Sequence, residues 1–392
     1  MNSVKNKLRR LLRVKSNSEK GIILPPATIG IIGGGQLGQM MALAAKAMGY
    51  KVGVLDPTRD CPTSQVCDFQ IVAEYTDHHA LIQMAERSDV LTYEFENVDL
   101  ASLKVAQELV TIPQGTNLLA ITGDRIREKN FLSSHGIPVT SYQVVEKPTD
   151  LEMAIAKLGY PSILKTSEGG YDGHGQQDIN SEADLLAGQR LVAQAPCILE
   201  QRQNFTKELS VMVTRSREGI VQCFPVAENE HQHHILHQSI VPARVSQNVQ
   251  DNARKIAQKI AQGLELRGVL GIEFFMLENG QLLVNEMAPR PHNSGHYSIE
   301  ACNISQFEAH IRSICGLTLP KVTQTTPAVM VNLLGQHLEA ARQKLVQRPD
   351  WHFHDYGKAE SRVNRKMGHI TILGDIQKSL DSIKSENIWE IK

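Results

Sequence analysis

Two glutamates interrupt otherwise apolar stretches. Glu273 lies in GIEFF and Glu286 in VNEMAPR, with the turn residues ENG between them. The pattern predicts a strand hairpin. Period-two alternation groups Glu273, Phe275 and Leu277 on one face, and likewise Leu282, Val284 and Glu286. The two carboxylates can then meet on one side of the sheet. A buried, unpaired carboxylate is costly. A divalent cation between the two offsets that cost, and Mg²⁺ held by one or two carboxylates plus phosphate oxygens is the usual nucleotide arrangement. Asn285 adds an amide carbonyl for metal or phosphate. A strand-end salt bridge to Arg290 is the alternative. Lys165 ends the apolar strand SILK, where a lysine reaches phosphate as a point charge or simply faces solvent. Just beyond it, EGGYDGHGQ (168–176) holds four glycines in nine residues. Such a backbone turns sharply or approaches a ligand closely, yet it lacks the Lys-Ser/Thr ending of a Walker loop. Glu200 ends strand CILEQ and Glu208 begins the next, positions suited to an adenine edge and a ribose.

A second glycine motif comes earlier. Gly33, Gly35 and Gly38 follow the strand TIGII and open a helix, and Asp56 ends the next strand. Alone, this is the dinucleotide fingerprint and suggests an NAD-dependent oxidoreductase. Its physical content is broader, because a helix N-terminus with bare N–H groups accepts any phosphate. A tight turn with no ligand is the remaining alternative.

These groups need elements to position them. Residues 27–57 read as strand, glycine turn, helix and strand, a right-handed βαβ unit that begins a doubly wound parallel sheet. FQIVAEYTD, a helix over 78–87, DVLTYEFENV and a strand in LVTIP continue the alternation. Helix 124–135 stops at Gly136, with Pro138 beyond. Strands then dominate: 162–166, 195–201, 207–216 and 220–229. Helix 248–266, the hairpin 268–290 and helix 305–316 follow, and a last segment begins near Pro327.

Composition narrows the classes. A chain of 392 residues is long enough for about two or three domains. Apolar and charged contents of 41% and 21% are those of a soluble globular protein. A net charge of −1 disfavours nucleic acid as a partner. The six cysteines form no C-x-x-C pair and read as reduced thiols in a cytoplasmic protein. No apolar run is long enough for a membrane span. Residues 1–27 read as a basic extension, with an organelle transit peptide as the alternative. ENEHQHHILH (228–237) offers four histidines, but a solvated loop with His231 alone near a ligand is the preferred reading over a zinc site.

The ordered set resembles the ATP-grasp superfamily: a strand lysine, a glycine-rich loop, an adenine glutamate, a ribose glutamate and two metal glutamates. GGGQLGQM, YEFENV, GDR…K, EGGYDGHGQ, NEMAPRPHNSGHYSIEACNISQFE and GKAESRVNRKMGHI narrow the resemblance to the N5-carboxyaminoimidazole ribonucleotide synthase family, over about 28–375. It implies a mixed α/β and α+β fold. A pre-ATP-grasp βαβ domain spans 28–126. An ATP-grasp domain spans 127–320, with a flexible subdomain at about 136–200. A small β-rich C-terminal domain spans 327–392. The implied activity is carboxylation of 5-aminoimidazole ribonucleotide by a homodimer, using ATP, bicarbonate and Mg²⁺ or Mn²⁺.

The resemblance also implies roles. Arg125 and Lys165 contact ATP phosphates, and Gly170, Tyr171, Asp172, Gly173, His174, Gly175 and Gln176 form the loop that closes over them. Glu200, Gln201, Arg202 and Gln203 hold adenine; Glu208 holds ribose, and His231 lies near the nucleotide. Asn285 and Glu286 reach phosphate and metal, with Glu273 as the other metal ligand. Arg290, His292 and Asn293 form the bicarbonate pocket. Gly35, Gln36, Leu37, Glu94, Tyr171, Asp172, Lys358 and Arg365 hold the aminoimidazole nucleotide. His292 and Glu94 are the candidate bases. Two departures stand out: His174 replaces a usual Arg or Lys, and Val363-Asn364 replaces a usual Pro-Gly. A formate-dependent glycinamide ribonucleotide transformylase, a biotin-carboxylase-like ligase and a non-catalytic regulator are the rivals; PRPHNSGHYSIE and the C-terminal motif argue against the two ligases, and Lys165, Glu273, Glu286 and Arg290 against the regulator.

Overall fold

The computed structural model describes residues 21–96, 98–169 and 175–389. The first unit alternates as expected: β1 (Thr28–Ile32), α1 (Gln36–Ala47), β2 (Lys51–Leu55), β3 (Phe69–Ile71), α2 (His78–Arg87), β4 (Val90–Tyr93), α3 (Leu100–Leu109) and α4 (Gly115–Thr122). Its strands are parallel, in the order β3-β2-β1-β4. Both faces are apolar because helices cover both. Ile29 and Ile31 pack with α1 on one side. Ile32 and Leu55 pack with α2 and α3 on the other. The strand expected in LVTIP is only a bridge between Thr111 and Val90. Pro113 cannot donate to a ladder, and Gly115 N–H turns back to the carbonyl of Ile112 at 2.9 Å.

The second unit opens with α5 (Arg125–Ser134). Asp124 caps it by accepting from the N–H groups of Ile126 and Arg127. Next come β5 (Tyr142–Val145), α6 (Asp150–Leu158), β6 (Ser162–Thr166), β7 (Gln176–Ile179), α7 (Leu185–Val192) and β8 (Cys197–Gln201). These strands form an antiparallel sheet in the order β5-β8-β6-β7. Leu164, Ile179 and Leu199 pack against Leu151, Ile155 and Val192 of its two helices.

The main sheet begins with β9 (Phe205–Arg215), β10 (Val221–Cys223), β11 (Ala227–Gln232) and β12 (Ile235–Val241). Pro225 splits the single strand expected over 220–229 into β10 and β11. Then come α8 (Gln247–Gly263), β13 (Gly268–Leu277), β14 (Leu282–Ala288), α9 (Ser298–Ala301) and α10 (Gln306–Ile314). The last segment supplies β15 (Ala328–Leu334), α11 (Gly335–Lys344), β16 (Trp351–Asp355), β17 (Lys366–Leu373) and α12 (Ile376–Ser385). Its strands join the main sheet rather than stand apart. The nine-stranded order is β14-β13-β9-β11-β12-β15-β17-β16, with β10 on β9. The β12–β15 pairing sets Ser239 opposite Met330 and satisfies an edge that would otherwise be bare.

One face of this sheet is core. Val249, Ala253, Ile256, Ala257 and Ile260 recur at helical spacing on α8 and cover Leu209, Val211, Leu270, Ile272 and Phe274. By alternation, Glu208 and Ser210 of β9 share the opposite face with their ladder partners Phe275 and Glu273.

Candidate active site

Simple alternation does not bring the two glutamates together. Val284 pairs with Phe274, and both face the α8 core. Strict period two would send Glu286 into that core with Val284. A β-bulge prevents it. The register runs from Phe274↔Val284 to Ile272↔Met287, so Asn285 and Glu286 together oppose Glu273. Met287 takes the core position, and Glu286 turns to the side of Glu273. The expected juxtaposition holds, but the bulge rather than the alternation makes it. Burial, and then the charge of Glu286, push the Glu273 carboxyl upward. Two crowded carboxylates beside an amide carbonyl are hard donors that fit Mg²⁺ completed by phosphate oxygens. Among the described residues, no three His, Cys, Asp or Glu side chains gather into an ion cage without a ligand.

Helix α5 lies against the bulge. Arg125, Glu128 and Lys129 share one face at i, i+3 and i+4. Arg125 Nη1 is 3.4 Å from Glu286 Oε2, so Arg125, and not Arg290, is the salt-bridge partner of Glu286. Its N–H donates to the carbonyl of Ser167 at 2.8 Å, tying α5 to the start of the glycine loop. Glu128 accepts from Met287 N–H at 3.1 Å. Lys129 Nζ donates to the carbonyl of Asn285 at 2.9 Å and lies 3.1 Å from Glu200 Oε1.

Glu200 is buried between two lysines, with Lys165 Nζ 2.6 Å from its other oxygen. Burial alone would favour the neutral acid; Lys165 and Lys129 overcome it and hold Glu200 at about 2. Its carboxylate is thus committed to lysines, and Gln201, Arg202 and Gln203 continue from it at the surface. Gly175 adopts φ +71° beside Thr166, and Gln176 pairs with Lys165 across β6 and β7. The remaining predicted loop residues, Gly170 to His174, lie outside the described residues.

Glu208 Oε2 meets His231 Nδ1 at 2.6 Å. Burial opposes charge on His231, but Glu208 wins and raises its pKa. The other histidines of 228–237 disperse. His233 and His234 form the positive-φ turn between β11 and β12, and His237 packs edge-on to Trp389.

Arg290 makes a two-pronged pair with Glu96, Nε to Oε2 at 2.8 Å and Nη2 to Oε1 at 3.0 Å. His292 Nε2 lies 3.6 Å from Glu273, and its Nδ1 is 2.8 Å from Ser294 Oγ. Burial, then Arg290, hold His292 well below its ordinary pKa. The Asn293 amide is buried, and neither its oxygen nor its nitrogen finds a partner among the described residues. An orphaned buried amide suits a small polar ligand.

The first glycine turn is occupied by the protein itself. Gly34 N–H donates to Asp56 Oδ2 at 2.7 Å, and Tyr75 donates to the same oxygen at 2.6 Å. Glu94 accepts from Gly35 and Gly38, the latter at 2.5 Å. A dinucleotide pyrophosphate or a substrate phosphate would have to displace Glu94 from this helix N-terminus. The side chain of Leu37 belongs to the core, leaving Gln36 half-buried at the turn. Burial raises the Glu94 carboxyl.

Of the C-terminal basic residues, Lys358 feels the charge of Glu94. Lys358 Nζ donates to the carbonyl of Lys366 at 2.7 Å. Burial, then the charge of Arg365, lower Lys358 to about 8, and Glu94 opposes this. Arg365 is exposed and donates to the carbonyl of Glu360 at 2.8 Å. Asn364 adopts φ +64°, the left-handed conformation a glycine would supply there, and Gln336 braces it by accepting from its N–H at 2.9 Å.

Comparison with known proteins agrees with this fold. The ribonucleotide synthetase preATP-grasp domain matches residues 26–122, the ATP-grasp domain 130–307, and the phosphoribosylaminoimidazole carboxylase C-terminal domain 328–382. N5-carboxyaminoimidazole ribonucleotide synthase of Bacillus subtilis is 48% identical over 354 residues, covering 90% of this chain and 93% of that protein. The chain belongs to the N5-carboxyaminoimidazole ribonucleotide synthase family. An ADP complex of an N5-carboxyaminoimidazole ribonucleotide synthetase superposes with TM-score 0.91 at 50% identity, covering 94% of this chain and 98% of that one. The Aspergillus clavatus N5-carboxyaminoimidazole synthase, in complex with ADP and 5-aminoimidazole ribonucleotide, superposes with TM-score 0.84 at 30% identity, covering 92% and 96%. The chain is accordingly an ATP-grasp carbon–nitrogen ligase of purine biosynthesis, and the oxidoreductase reading falls.

Three residues of this N5-carboxyaminoimidazole ribonucleotide synthase family member escaped sequence reasoning. Glu96 follows Glu94 at strand spacing in YEFENV, so the pattern was available to suggest a partner for a buried arginine. Lys129 and Glu128 share the helical face of Arg125, a spacing that could have grouped them. The helical pattern does not name the bulge that Glu128 and Lys129 contact.

Proposed function

We propose that this chain carboxylates 5-aminoimidazole ribonucleotide at its exocyclic amine, using ATP and bicarbonate, in the cleft between the small antiparallel sheet and the main sheet. The carrying observation is the β14 bulge, which sets Glu286 beside Glu273 with Arg125 alongside. Lys165 and Arg125 bear on the ATP phosphates. Glu208 and His231 take the ribose, and Gln201 to Gln203 flank the adenine. Mg²⁺, or Mn²⁺ in its place, held by Glu273, Glu286 and Asn285, supplies charge neutralisation between the phosphates when bound.

In the first step a bicarbonate oxygen attacks the γ-phosphorus. The bond to the bridging oxygen breaks, leaving ADP and carboxyphosphate. Arg290, Asn293 and His292 hold the bicarbonate end, and the fixed positive charges stabilise the spreading negative charge. In the second step the exocyclic amine attacks the carbon of carboxyphosphate, or of CO₂ released from it. Phosphate departs and the amine gives up a proton. Burial makes Glu94 a stronger base than an exposed carboxylate and makes His292 a weaker one than an exposed imidazole. Lys358, Arg365 and Gln36 bind the aminoimidazole nucleotide. The reading includes a homodimer in the cytoplasm, on family resemblance; no helix among the described residues is long and apolar enough to cross a membrane.

Isotope transfer tests the first step. Bicarbonate labelled with ¹⁸O should deliver label to the released phosphate during turnover. Unlabelled phosphate from the same incubation would rule out the carboxyphosphate route.

A further inference from the structure

We infer that Glu128 is a positioning residue: by accepting Met287 N–H it fixes the β14 bulge that turns Glu286 toward Glu273. Residues 284–287 contain the whole irregularity. Val284 and Met287 pair with β13, while Asn285 and Glu286 have no register partner there. A slip of one residue would return Glu286 to the core side. Helix α5 supplies the missing restraints. Lys129 Nζ reaches the carbonyls of Asn285 and Val284, at 2.9 and 3.4 Å. Glu128 Oε2 takes the N–H at the other end of the bulge, at 3.1 Å. Two adjacent side chains, one donor and one acceptor, thus grip both ends of the segment. Both are buried, so neither site is open to water as a substitute partner.

Reach, not charge, is what this role needs. Glutamine keeps an acceptor at the same distance, whereas aspartate keeps the carboxyl group but is one methylene short. The inference rests on the metal reading of Glu273 and Glu286, and the test separates the two. The probe is ADP affinity by calorimetry, with Mg²⁺ and with EDTA. Glu128→Asp should weaken ADP binding about ten-fold in Mg²⁺ and leave the EDTA value unchanged, while Glu128→Gln stays within about two-fold in both. Equal weakening in both conditions, no weakening in Mg²⁺, or a glutamine variant as weak as the aspartate one would overturn the positioning role. Glu286→Gln serves as the reference. Loss of the Mg²⁺ effect there but not in Glu128→Asp removes the positioning role alone; no loss in Glu286→Gln removes the metal reading and the inference with it. Wild-type hydrogen exchange gives an independent check needing no variant. The Met287 amide should exchange as slowly as the ladder amides of β13, and rapid exchange would count against the clamp.

Discussion

At the residue scale, the site depends on charges whose neighbours decide their state. Glu200 would be neutral if burial acted alone, yet Lys165 at 2.6 Å and Lys129 at 3.1 Å keep it ionised. Lys358 is the opposite case. Burial and Arg365 bring it to about 8, within an accessible pH range. Its ordinary value is near 10.5, so between the two the unfolded chain holds the proton that the folded chain has lost. The fold therefore gains stability from this group as pH rises through that window. Substrate binding moves the other way, because a phosphate prefers the protonated amine. The kcat/KM for 5-aminoimidazole ribonucleotide, which reports the free enzyme, should fall as pH rises through about 8. Lys358→Arg should abolish that fall, since a guanidinium keeps its charge. The same fall in the arginine variant would remove Lys358 from the binding role.

At the element scale, turns and bulges aim the side chains that regular strands carry. The 358–366 turn tests this. Asn364 occupies a left-handed conformation that costs ordinary L residues about 1–2 kcal/mol and a β-branched one at least that much. Asn364→Gly should leave KM for the aminoimidazole nucleotide within about two-fold of wild type, whereas Asn364→Val should lower the unfolding midpoint and raise KM. A valine variant with unchanged KM would show that the turn does not set the pose of Arg365. The same contrast explains what the sequence disclosed. The βαβ unit, the amphipathic α8 and the hairpin around ENG follow from apolar period and turn residues, and were legible. The β14 bulge was not, because nothing local in LLVNEMA distinguishes a bulged strand from a regular one. It exists because α5, far away in sequence, offers Glu128 and Lys129 to its backbone.

At the scale of the whole molecule, the three segments meet in one place. Glu94 and Glu96 come from the N-terminal unit, Arg125, Lys165, Glu273 and Glu286 from the ATP-grasp unit, and Lys358 and Arg365 from the connection between β16 and β17. The Arg290–Glu96 pair joins the first to the second. The continuous β12–β15 ladder joins the second to the third. These long-range pairings also mark the limit of sequence reading. Glu96, Glu128 and Lys129 were visible as residues, but their partners lie 194, 159 and 156 positions away. An assembly built this way should couple ATP cleavage to occupancy of the aminoimidazole site. The most direct test is ADP release with Mg-ATP and bicarbonate, with and without 5-aminoimidazole ribonucleotide, in wild type and Glu286→Gln. Strong stimulation by the nucleotide in wild type, lost in the variant, is the expected result. A wild type indifferent to the nucleotide, or a variant as active as wild type, would contradict it.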